Sequence, residues 1–345
     1  MSAGIVISDW SAVSAYGQGR EAFADGMRSG AGTDYRVPDF SPREALGRKG
    51  TRSMDRVTGL AVSAVGALLA GAGAGAGRGG TGLVLTTTTG SAESVMEFTR
   101  SGLEADLPYL VEPSRFPNTV MNCAAGQCAI WHDLTGPNTT VAGGYAVGLH
   151  ALTIARRLLA TGRAERVLCG GVEEHSGARD AIESRAAGVA APLGEGCAVH
   201  VVERAGDVRP GRRVLAEVLT VETGVAADGD LGAALRARVE RALRTVDRGE
   251  VWAVAPCGAR GRAGRREAEV LDALLPGVTR IPVARHLGDL SAASVPFQLA
   301  AVLATAEHDP TAAGRLAVVT AVEHTGAVAC GLLRIAAAHS VEVRS

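Results

Sequence analysis

Short apolar runs rich in β-branched residues alternate with alanine- and leucine-rich stretches of helical length along the whole chain. This alternation is typical of an α/β layered fold, because each strand and each helix must bury its apolar side against a neighbouring layer. Two similar series of such segments meet near residues 204–213, a charged stretch that contains Pro210. We therefore expect two halves of related architecture, residues 1–205 and residues 206–345.

The composition limits the partners and the location of the protein. Of its 345 residues 47% are apolar but 3% are aromatic, so the core must consist mainly of alanine, valine and leucine. The net charge of −1 offers no electrostatic footprint for nucleic acid or for an anionic membrane surface. No apolar run is long enough to span a bilayer, and the chain enters a predicted strand at Gly4 without a signal peptide. These features predict a soluble cytoplasmic protein.

Neither the cysteines nor the glycines form a cofactor or metal motif. The six cysteines include no Cys-x-x-Cys pair, so we expect reduced, buried thiols rather than disulfide bonds or a metal site. One Gly-x-Gly-x-x-Gly match, at Gly75, Gly77 and Gly80, follows a predicted helix and precedes a predicted strand, the reverse of a dinucleotide-binding arrangement. We interpret that segment as a connector and expect no cofactor.

A tight turn at Gly143-Gly144-Tyr145, here called the elbow, separates a predicted strand from a predicted helix over residues 146–159. The amides at the start of a helix stabilise a developing anion, so an elbow of this kind suits the nucleophile of an acyl-transfer enzyme. Here the elbow holds Tyr145, and a phenol with an ordinary pKa of about 10 is a poor acyl acceptor at neutral pH. The segment has the architecture of an acyl-transfer site without its chemistry.

Several segments in colinear order resemble the β-ketoacyl synthases. The stretch Ile5-Val-Ile-Ser-Asp-Trp-Ser-Ala-Val-Ser-Ala-Tyr-Gly is similar to the opening of that family. The further matches are Arg52-Ser-Met-Asp-Arg, Asn122-Cys-Ala-Ala-Gly-Gln, Gly136-Pro-Asn, Gly170-Gly-Val-Glu and Gly194-Glu-Gly-Cys-Ala-Val. The resemblance implies a thiolase-like fold, with duplicated α/β/α/β/α layered halves and mixed five-stranded sheets. It also implies a dimer.

The resemblance implies that the family's catalytic cysteine and two histidines are missing from this chain. Alignment on Gly136-Pro-Asn places Tyr145 at the position of the cysteine. Cys257 falls at the first histidine and Asp289 at the second, and the glycine-rich loop near the C terminus keeps one glycine, Gly326. Catalytic groups act as a unit, so a site that lacks all three implies no condensation activity in the chain alone.

Within the family this pattern resembles the chain length factor, the non-catalytic ketosynthase-like subunit of a type II polyketide synthase. The resemblance implies a heterodimer with an active ketosynthase and a growing polyketide chain carried by an acyl carrier protein, as in antibiotic biosynthesis. The trimmed length of the chain is similar to the partners found in highly reducing, polyene-forming systems. We expect the chain to stabilise its partner and to shape the tunnel that sets the length of the polyketide.

The resemblance also implies which residues form that tunnel and the subunit interface. In the family the segment at residues 116–132, predicted to be helical from residue 118, lies beside the partner and lines the acyl tunnel. The implied tunnel residues are Phe116, Thr119, Val120, Met121 and Cys123. The implied interface residues are Asn118, Asn122 and Gln127, together with Thr139, Thr140, Val141 and Ala142 of the strand before the elbow.

Two alternatives remain open. A divergent ketosynthase-like acyltransferase would use Cys257, with His286 or His324 as its base, or Cys123. A homodimeric scaffold or carrier-protein docking module would need no tunnel, and arginine-rich residues 260–266 are expected to be available at the surface. At the level of single residues, Asp289 is also interpretable as a helix N-cap, and His150 as a core histidine in the helix after the elbow.

Overall fold

A computed structural model describes residues 4–30, 34–71, 79–209 and 211–337, so Gly75 and Gly77 of the predicted connector and Pro210 lie outside the described residues. The strands are β1 (Ile5–Ser14), β2 (Gly17–Gln18), β3 (Thr81–Thr87), β4 (Asn138–Ala142), β5 (Arg166–Glu173), β6 (Gly196–Arg204), β7 (Ala216–Val225), β8 (Val251–Ala255), β9 (Thr279–Arg280), β10 (Leu316–Val322) and β11 (Ala327–Ile335). The α-helices are α1 (Arg20–Ser29), α2 (Pro42–Leu46), α3 (Arg56–Gly71), α4 (Ala92–Glu104), α5 (Cys123–His132), α6 (Val147–Ala160), α7 (Gly177–Ala187), α8 (Leu231–Ala242), α9 (Gly261–Leu274), α10 (Val283–Leu287) and α11 (Ser294–Glu307).

The strands form one mixed sheet in the order β4-β3-β5-β6-β1-β7-β11-β10-β8-β9, with β2 paired to β1. Strands β6 and β11 are antiparallel to both of their neighbours, whereas the pairs further toward each edge are parallel. The two halves therefore repeat one five-stranded topology, which confirms the expected thiolase-like fold. The two five-stranded sheets are continuous rather than separate, because Ile5, Val6 and Ile7 pair with residues 216–218.

Helices α6 and α11 form the middle layer between the halves. Helix α6 contacts β3, β5 and β6 of the first half and β7 and β11 of the second, while α11 contacts β8 and β10 as well as β1, β5 and β6. Gly148 of α6 faces α11 so closely that a Cβ there would lie 2.5 Å from the Cβ of Val295. With α3 outside the first half and α8 and α9 outside the second, the order of layers is α/β/α/β/α.

Burial along the strands follows their place in the sheet. Every residue of β3, β5 and β10 is buried, as expected for strands covered by helices on both faces. Strand β4 lies at one end of the sheet, pairs with β3 alone, and has no fully buried residue. Its outer edge is therefore open within the described part of the chain.

Two local predictions are wrong, and each has a physical reason. The segment 118–132 is not one helix: Pro113–Thr119 forms a 3-10 helix, and α5 begins only at Cys123. Val120 has extended backbone angles (φ −104°, ψ 136°), so a continuous helix cannot pass through it. His150 is exposed rather than in the core, because the buried side of α6 carries its neighbours Leu149, Ala151 and Leu152. Of the helices in the described ranges, none has the length and apolar character that crossing a bilayer requires.

Candidate functional site

The elbow presents Tyr145 to the interior of the protein. Strand β4 ends at Ala142 and α6 begins at Val147, and Gly143 permits the reversal because a Cβ there would lie 2.3 Å from Val147 Cγ1. Tyr145 is buried, and its hydroxyl donates a 2.7 Å hydrogen bond to Oδ2 of Asp289. Burial, together with the nearby Asp289 carboxylate, raises the pKa of Tyr145 far above its ordinary value, so the phenol stays neutral.

The Asp289 carboxylate accepts hydrogen bonds from three other residues of this site. Its Oδ1 accepts a 2.9 Å hydrogen bond from the amide of Ser291, and its Oδ2 accepts from Tyr145 and from Nε of Arg260. Burial opposes ionisation, but the Arg260 guanidinium, the hydrogen bond from Tyr145 and the charge of Arg179 together outweigh it and hold the pKa of Asp289 below the usual value. The N-cap interpretation is wrong: the N-cap of the 3-10 helix Ser291–Ala293 is Leu290, and Asp289 precedes it and pairs with Arg260.

A chain of alternating charges runs from Asp289 into α7. Arg260, whose side chain is 4% exposed, also pairs with Glu183 at 3.3 Å. Nε of Arg179 lies 2.5 Å from Oε1 of Glu183, whereas Arg260 faces Oε2 of the same carboxylate. Nε of Arg179 also lies 3.4 Å from Oε2 of Glu173. Arg179 is fully buried and donates to the carbonyl oxygens of residues 174, 194 and 289. The expectation that Arg260 is available at the surface is therefore wrong: it fills the interior beside Tyr145.

Cys257 is buried and held by a carboxylate rather than by a histidine. Its Sγ lies 3.3 Å from Oε2 of Glu267, which is itself buried and accepts hydrogen bonds from the amides of residues 257 and 258. Burial, with Glu267 as a second cause, raises the pKa of Cys257 well above its ordinary value. His286 instead contacts the Tyr16 hydroxyl at 3.2 Å, and His324 is exposed. No histidine base for this thiol is found among the described residues.

The five implied tunnel residues lie at the surface of the described chain. Phe116, Val120 and Met121 are 58%, 43% and 50% exposed, whereas Thr119 and Cys123 are half-buried. The Cys123 thiol faces Asn118 and Thr58, and burial raises its pKa, so it is a poor nucleophile at neutral pH. Phe116 packs against Phe98 of α4 with 5.9 Å between the ring centroids. The single chain therefore offers an apolar surface here and not a closed tunnel.

The implied interface residues also have accessible side chains. Asn122 and Ala142 are exposed, and Asn118, Gln127, Thr139, Thr140 and Val141 are half-buried. Strand β4, which carries four of them, is the open edge of the sheet. Further exposed apolar side chains lie on α4, on the segment that follows it and on α5: Met96, Leu103, Leu107, Tyr109, Leu110 and Ile130.

A cavity of about 1060 Å³ opens between the first turns of α3 and α4, the 3-10 helix at Pro113–Thr119 and the segment after β5. Its lining is strongly polar and includes Arg52, Asp55, Arg115 and Glu174, with Asn118 as the one implied interface residue. The carboxylate of Glu174 is already satisfied by the amide of residue 93 and by two serine hydroxyls. Charged groups of this density make the cavity unsuited to a hydrocarbon chain.

Comparison with known proteins agrees with this geometry. A family model described as the N-terminal domain of β-ketoacyl synthases matches residues 8–207, more than half of the chain. The chain belongs to the β-ketoacyl synthase family. Among curated members, the 3-oxoacyl-[acyl-carrier-protein] synthase 2 of Vibrio harveyi is 29% identical over 142 residues, and that of Rhizobium meliloti is 41% identical over 66 residues. These matches cover 41% and 19% of this chain and 34% and 16% of the relatives, so the chain spans about a third or less of each relative.

Solved structures of the family cover the chain more completely. A chain of the ishigamide ketosynthase/chain length factor is 46% identical, with a TM-score of 0.90, over 96% of this chain and 99% of that one. A chain from a type II PKS acyl-carrier protein in complex with its ketosynthase has a TM-score of 0.80 at 15% identity, over 97% of this chain and 100% of that one. A β-ketoacyl synthase from Burkholderia phymatum has a TM-score of 0.79 at 18% identity, over 96% and 99%. The last two support the fold alone.

For a β-ketoacyl synthase family member, the site contains groups that sequence reasoning did not assign. Arg260, Glu183 and Arg179 connect the elbow to α7, a helix that was not predicted. A run of charges within residues 173–185 is the sequence signal that could have indicated Arg179 and Glu183, but it does not extend to Arg260. Arg260 pairs with Glu183 and with Asp289, which lie 77 and 29 residues away in the sequence. No local sequence pattern encodes contacts over such separations.

Proposed function

We propose that this chain is a non-catalytic chain length factor that forms a heterodimer with an active ketosynthase, stabilises it and shapes the tunnel that sets polyketide chain length. The observation that carries the proposal is the hydrogen bond from Tyr145 to Asp289 at the elbow. A neutral, buried phenol that donates to an ion-paired carboxylate has neither the nucleophilicity nor the free base that acyl transfer requires. The 46% identical chain described as a ketosynthase/chain length factor is compatible with either of two roles, and the elbow favours the non-catalytic one.

The thiols of the chain give little support to the rival acyltransferase. Cys257 and Cys123 both have a raised pKa, so at neutral pH each is almost entirely a thiol rather than the reactive thiolate. Cys257 faces Glu267, whose negative charge opposes thiolate formation, and Cys123 faces the neutral groups of Asn118 and Thr58. Neither environment activates a nucleophile.

The partner surface follows from the open edge of β4 and the apolar side chains around it. An unpaired edge strand is a ready template for pairing with another chain, and exposed apolar side chains such as Ile130 on the adjoining α5 favour a protein interface. Both features support a heterodimer in which β4 of this chain pairs with the corresponding strand of the ketosynthase. The homodimeric scaffold alternative would use the same surface, so the experiment below must separate the two.

The acyl chain would extend from the partner's cysteine along Phe116, Val120 and Met121 rather than into the polar cavity. Each buried methylene gains about 0.8 kcal/mol, which favours the apolar surface over a cavity lined by arginines and carboxylates. An acyl carrier protein would deliver the chain to the ketosynthase, in keeping with the carrier-protein complex among structures of this fold.

The test is to purify the chain alone and together with the ketosynthase encoded beside it. We expect the chain alone to take up no acyl group from an acyl carrier protein and to condense no malonyl units, and the complex to do both. A thiol-directed acyl probe with peptide mapping would locate any acylated cysteine. Covalent loading of Cys257 or Cys123 would support the acyltransferase, and a stable homodimer that ignores the ketosynthase would support the scaffold.

A further inference from the structure

The turn between β10 and β11 places a carboxylate at the start of α6. The turn is closed by hydrogen bonds from the amide of Glu323 to the carbonyl of Ala327 and from the amide of Gly326 to the carbonyl of Glu323. The side chain of Glu323 reaches across to the first half, where Oε1 accepts a 2.8 Å hydrogen bond from the amide of Ala146. Ala146 directly follows the elbow and precedes the first residue of α6.

The elbow is shaped around this carboxylate. A Cβ at Gly144 would lie 2.8 Å from the carboxyl carbon of Glu323 and 2.9 and 3.1 Å from its two oxygens. The carboxylate therefore occupies the space that any larger residue at position 144 would need. Its second oxygen accepts a 3.2 Å hydrogen bond from the hydroxyl of Thr325, which holds the group in place.

The start of α6, where the Glu323 carboxylate lies, is a favourable position for an anion. The free amides at the start of a helix carry partial positive charge and favour an anion. In an acyl-transfer enzyme such amides stabilise the oxyanion that forms when the thioester is attacked. We propose that the Glu323 carboxylate is a built-in substitute for that oxyanion: it permanently fills the anion position of the elbow, holds the elbow in shape without an acyl group, and excludes a thioester from it.

This inference deepens the proposed function, because it gives the elbow a structural role once its chemistry is gone. It predicts a defined vacancy when the carboxylate is removed. In Glu323→Ala the amide of Ala146 loses its acceptor, and the deleted carboxymethyl group has the size and charge of acetate. Acetate should therefore replace what the side chain supplied.

The experiment measures the melting temperature of the full chain, or of its complex if the lone chain is unstable, in increasing sodium acetate. Acetamide, the neutral isostere, and sodium chloride at matched ionic strength serve as reference additives. We expect Glu323→Ala to melt a few degrees below the parent and to regain most of that loss, with saturation, in acetate alone. The parent should not respond.

Asp230→Ala is the matched control variant. Asp230 also accepts from a helix amide, that of Ala233 in α8, but it is exposed and lies in its own loop. It should lose stability without rescue by acetate. If Glu323→Ala does not fold, Gly144→Ala tests the same idea, since its methyl group must displace the carboxylate and should lower the melting temperature unless Glu323 is also removed.

An acetate response of the same size in the parent and in Glu323→Ala would overturn the inference, and so would no response in Glu323→Ala. Additive effects of Gly144→Ala and Glu323→Ala would count against it as well, because both changes act on one contact. None of these outcomes touches the proposed heterodimer. Conversely, acyl loading of a cysteine would defeat the proposed function and leave the acetate response as it stands.

Discussion

The hydroxyl of Tyr145 donates a 2.7 Å hydrogen bond to Oδ2 of Asp289, a residue 144 positions later in the chain. The contact joins the elbow of the first half to the loop before the 3-10 helix Ser291–Ala293 of the second. Where acyl-transfer chemistry needs a nucleophile and a free base, this chain has a neutral donor and an ion-paired acceptor. The remade site should therefore contribute to stability, and that contribution is measurable.

Tyr145→Phe removes the hydroxyl and leaves the ring. A hydrogen bond to a charged acceptor contributes about 1.5–3 kcal/mol, so we expect the free energy of unfolding in urea to fall by about that amount. Tyr109→Phe is the control, because the Tyr109 side chain is 72% exposed and should change little. Equal urea concentrations at the unfolding midpoint of the two variants would show that the Tyr145 hydroxyl contributes nothing to stability.

Asp289→Asn removes the charge that Arg260 faces. Breaking a buried ion pair costs about 3–5 kcal/mol, and the second partner of Arg260, Glu183, should keep the loss near the lower end. Asp272→Asn is the control, because Asp272 pairs with Arg280 at 3.1 Å but is 74% exposed. Chemical denaturation at pH 7 measures the free energy of unfolding of both variants. If Asp289→Asn loses no more stability than Asp272→Asn, the prediction is contradicted.

The same carboxylate predicts a pH dependence. The pKa of Asp289 is lower in the folded protein than in the unfolded chain, because Arg260, Tyr145 and Arg179 together outweigh the effect of burial. Its stabilisation is therefore present above the ordinary aspartate pKa and is lost as the pH falls through the folded value. Asp289→Asn should remove that part of the acid sensitivity, so its loss of stability relative to the parent should shrink as the pH is lowered.

The buried side chain of His200 in β6 leads us to expect a second pH dependence of stability. Burial lowers the pKa of His200 to about 4, and the backbone of Cys169 offsets this only in part. Between pH 6.5 and 4 the unfolded chain binds a proton that the folded protein does not, so stability falls as the pH falls, by up to about 1.4 kcal/mol per pH unit. His200→Leu should remove this slope.

Parent and His200→Leu must be compared directly across that pH range by urea denaturation. Burial raises the pKa of Glu173 to about 7, so this carboxyl contributes a slope of opposite sign between pH 4.5 and 7 in both proteins. The difference between the two proteins isolates the histidine. Parallel curves would show that His200 does not titrate as its burial requires.

Ile130→Glu tests the partner surface. Ile130 is 73% exposed on α5, the helix that contacts β4 through a 2.8 Å hydrogen bond from Asn138 to the carbonyl of Ala125. A charge buried in an apolar interface without a partner is costly, so the affinity for the ketosynthase should fall at least tenfold. Analytical ultracentrifugation of the mixed subunits measures this. Val225→Glu, 68% exposed at the far end of β7, should leave the affinity unchanged; equal losses would place the interface elsewhere.

Met121→Ala tests the tunnel. If the growing chain runs along this surface, removing the side chain should let the reconstituted complex add further extender units, because steric arrest is relieved. Product lengths are read by mass spectrometry of the hydrolysed chains. Val225→Ala, 68% exposed at the far end of β7, is a control outside both the tunnel and the proposed partner surface. An unchanged product distribution for Met121→Ala would remove the tunnel from the proposal.

The layered fold was predictable because its signals are local. The β8 bounds Val251–Ala255 and the β10 bounds Leu316–Val322 match the apolar runs residue for residue, and the turn before α6 was visible from two adjacent glycines. The break before α5 was missed because the apolar residues Val120 and Met121 fit a helical pattern, and nothing local in the sequence indicates that Val120 is extended. The short strand β9 and helix α10 carry too few residues for a periodic pattern to appear.

The content of the site was less predictable, since it depends on contacts between distant segments. Alignment to the family indicated Tyr145, Cys257 and Asp289 as positions of interest, and the structure shows Tyr145 and Asp289 in contact. Nothing near Asp289 in sequence indicates that Arg260 reaches it, or that Glu267 holds Cys257. The assignment of the tunnel and interface residues remains a prediction.

The close meeting of α6 and α11 at Gly148 has a consequence for how such a chain can diverge. A methyl group at Gly148 would collide with Val295 and Pro296 of the other repeat, so neither repeat can change volume there unless the other compensates. This steric constraint does not depend on which side chain the elbow carries, because it lies between two helices of the middle layer. Changes of side-chain volume in the two repeats are therefore coupled at the centre of the molecule, whatever chemistry the elbow does or does not perform.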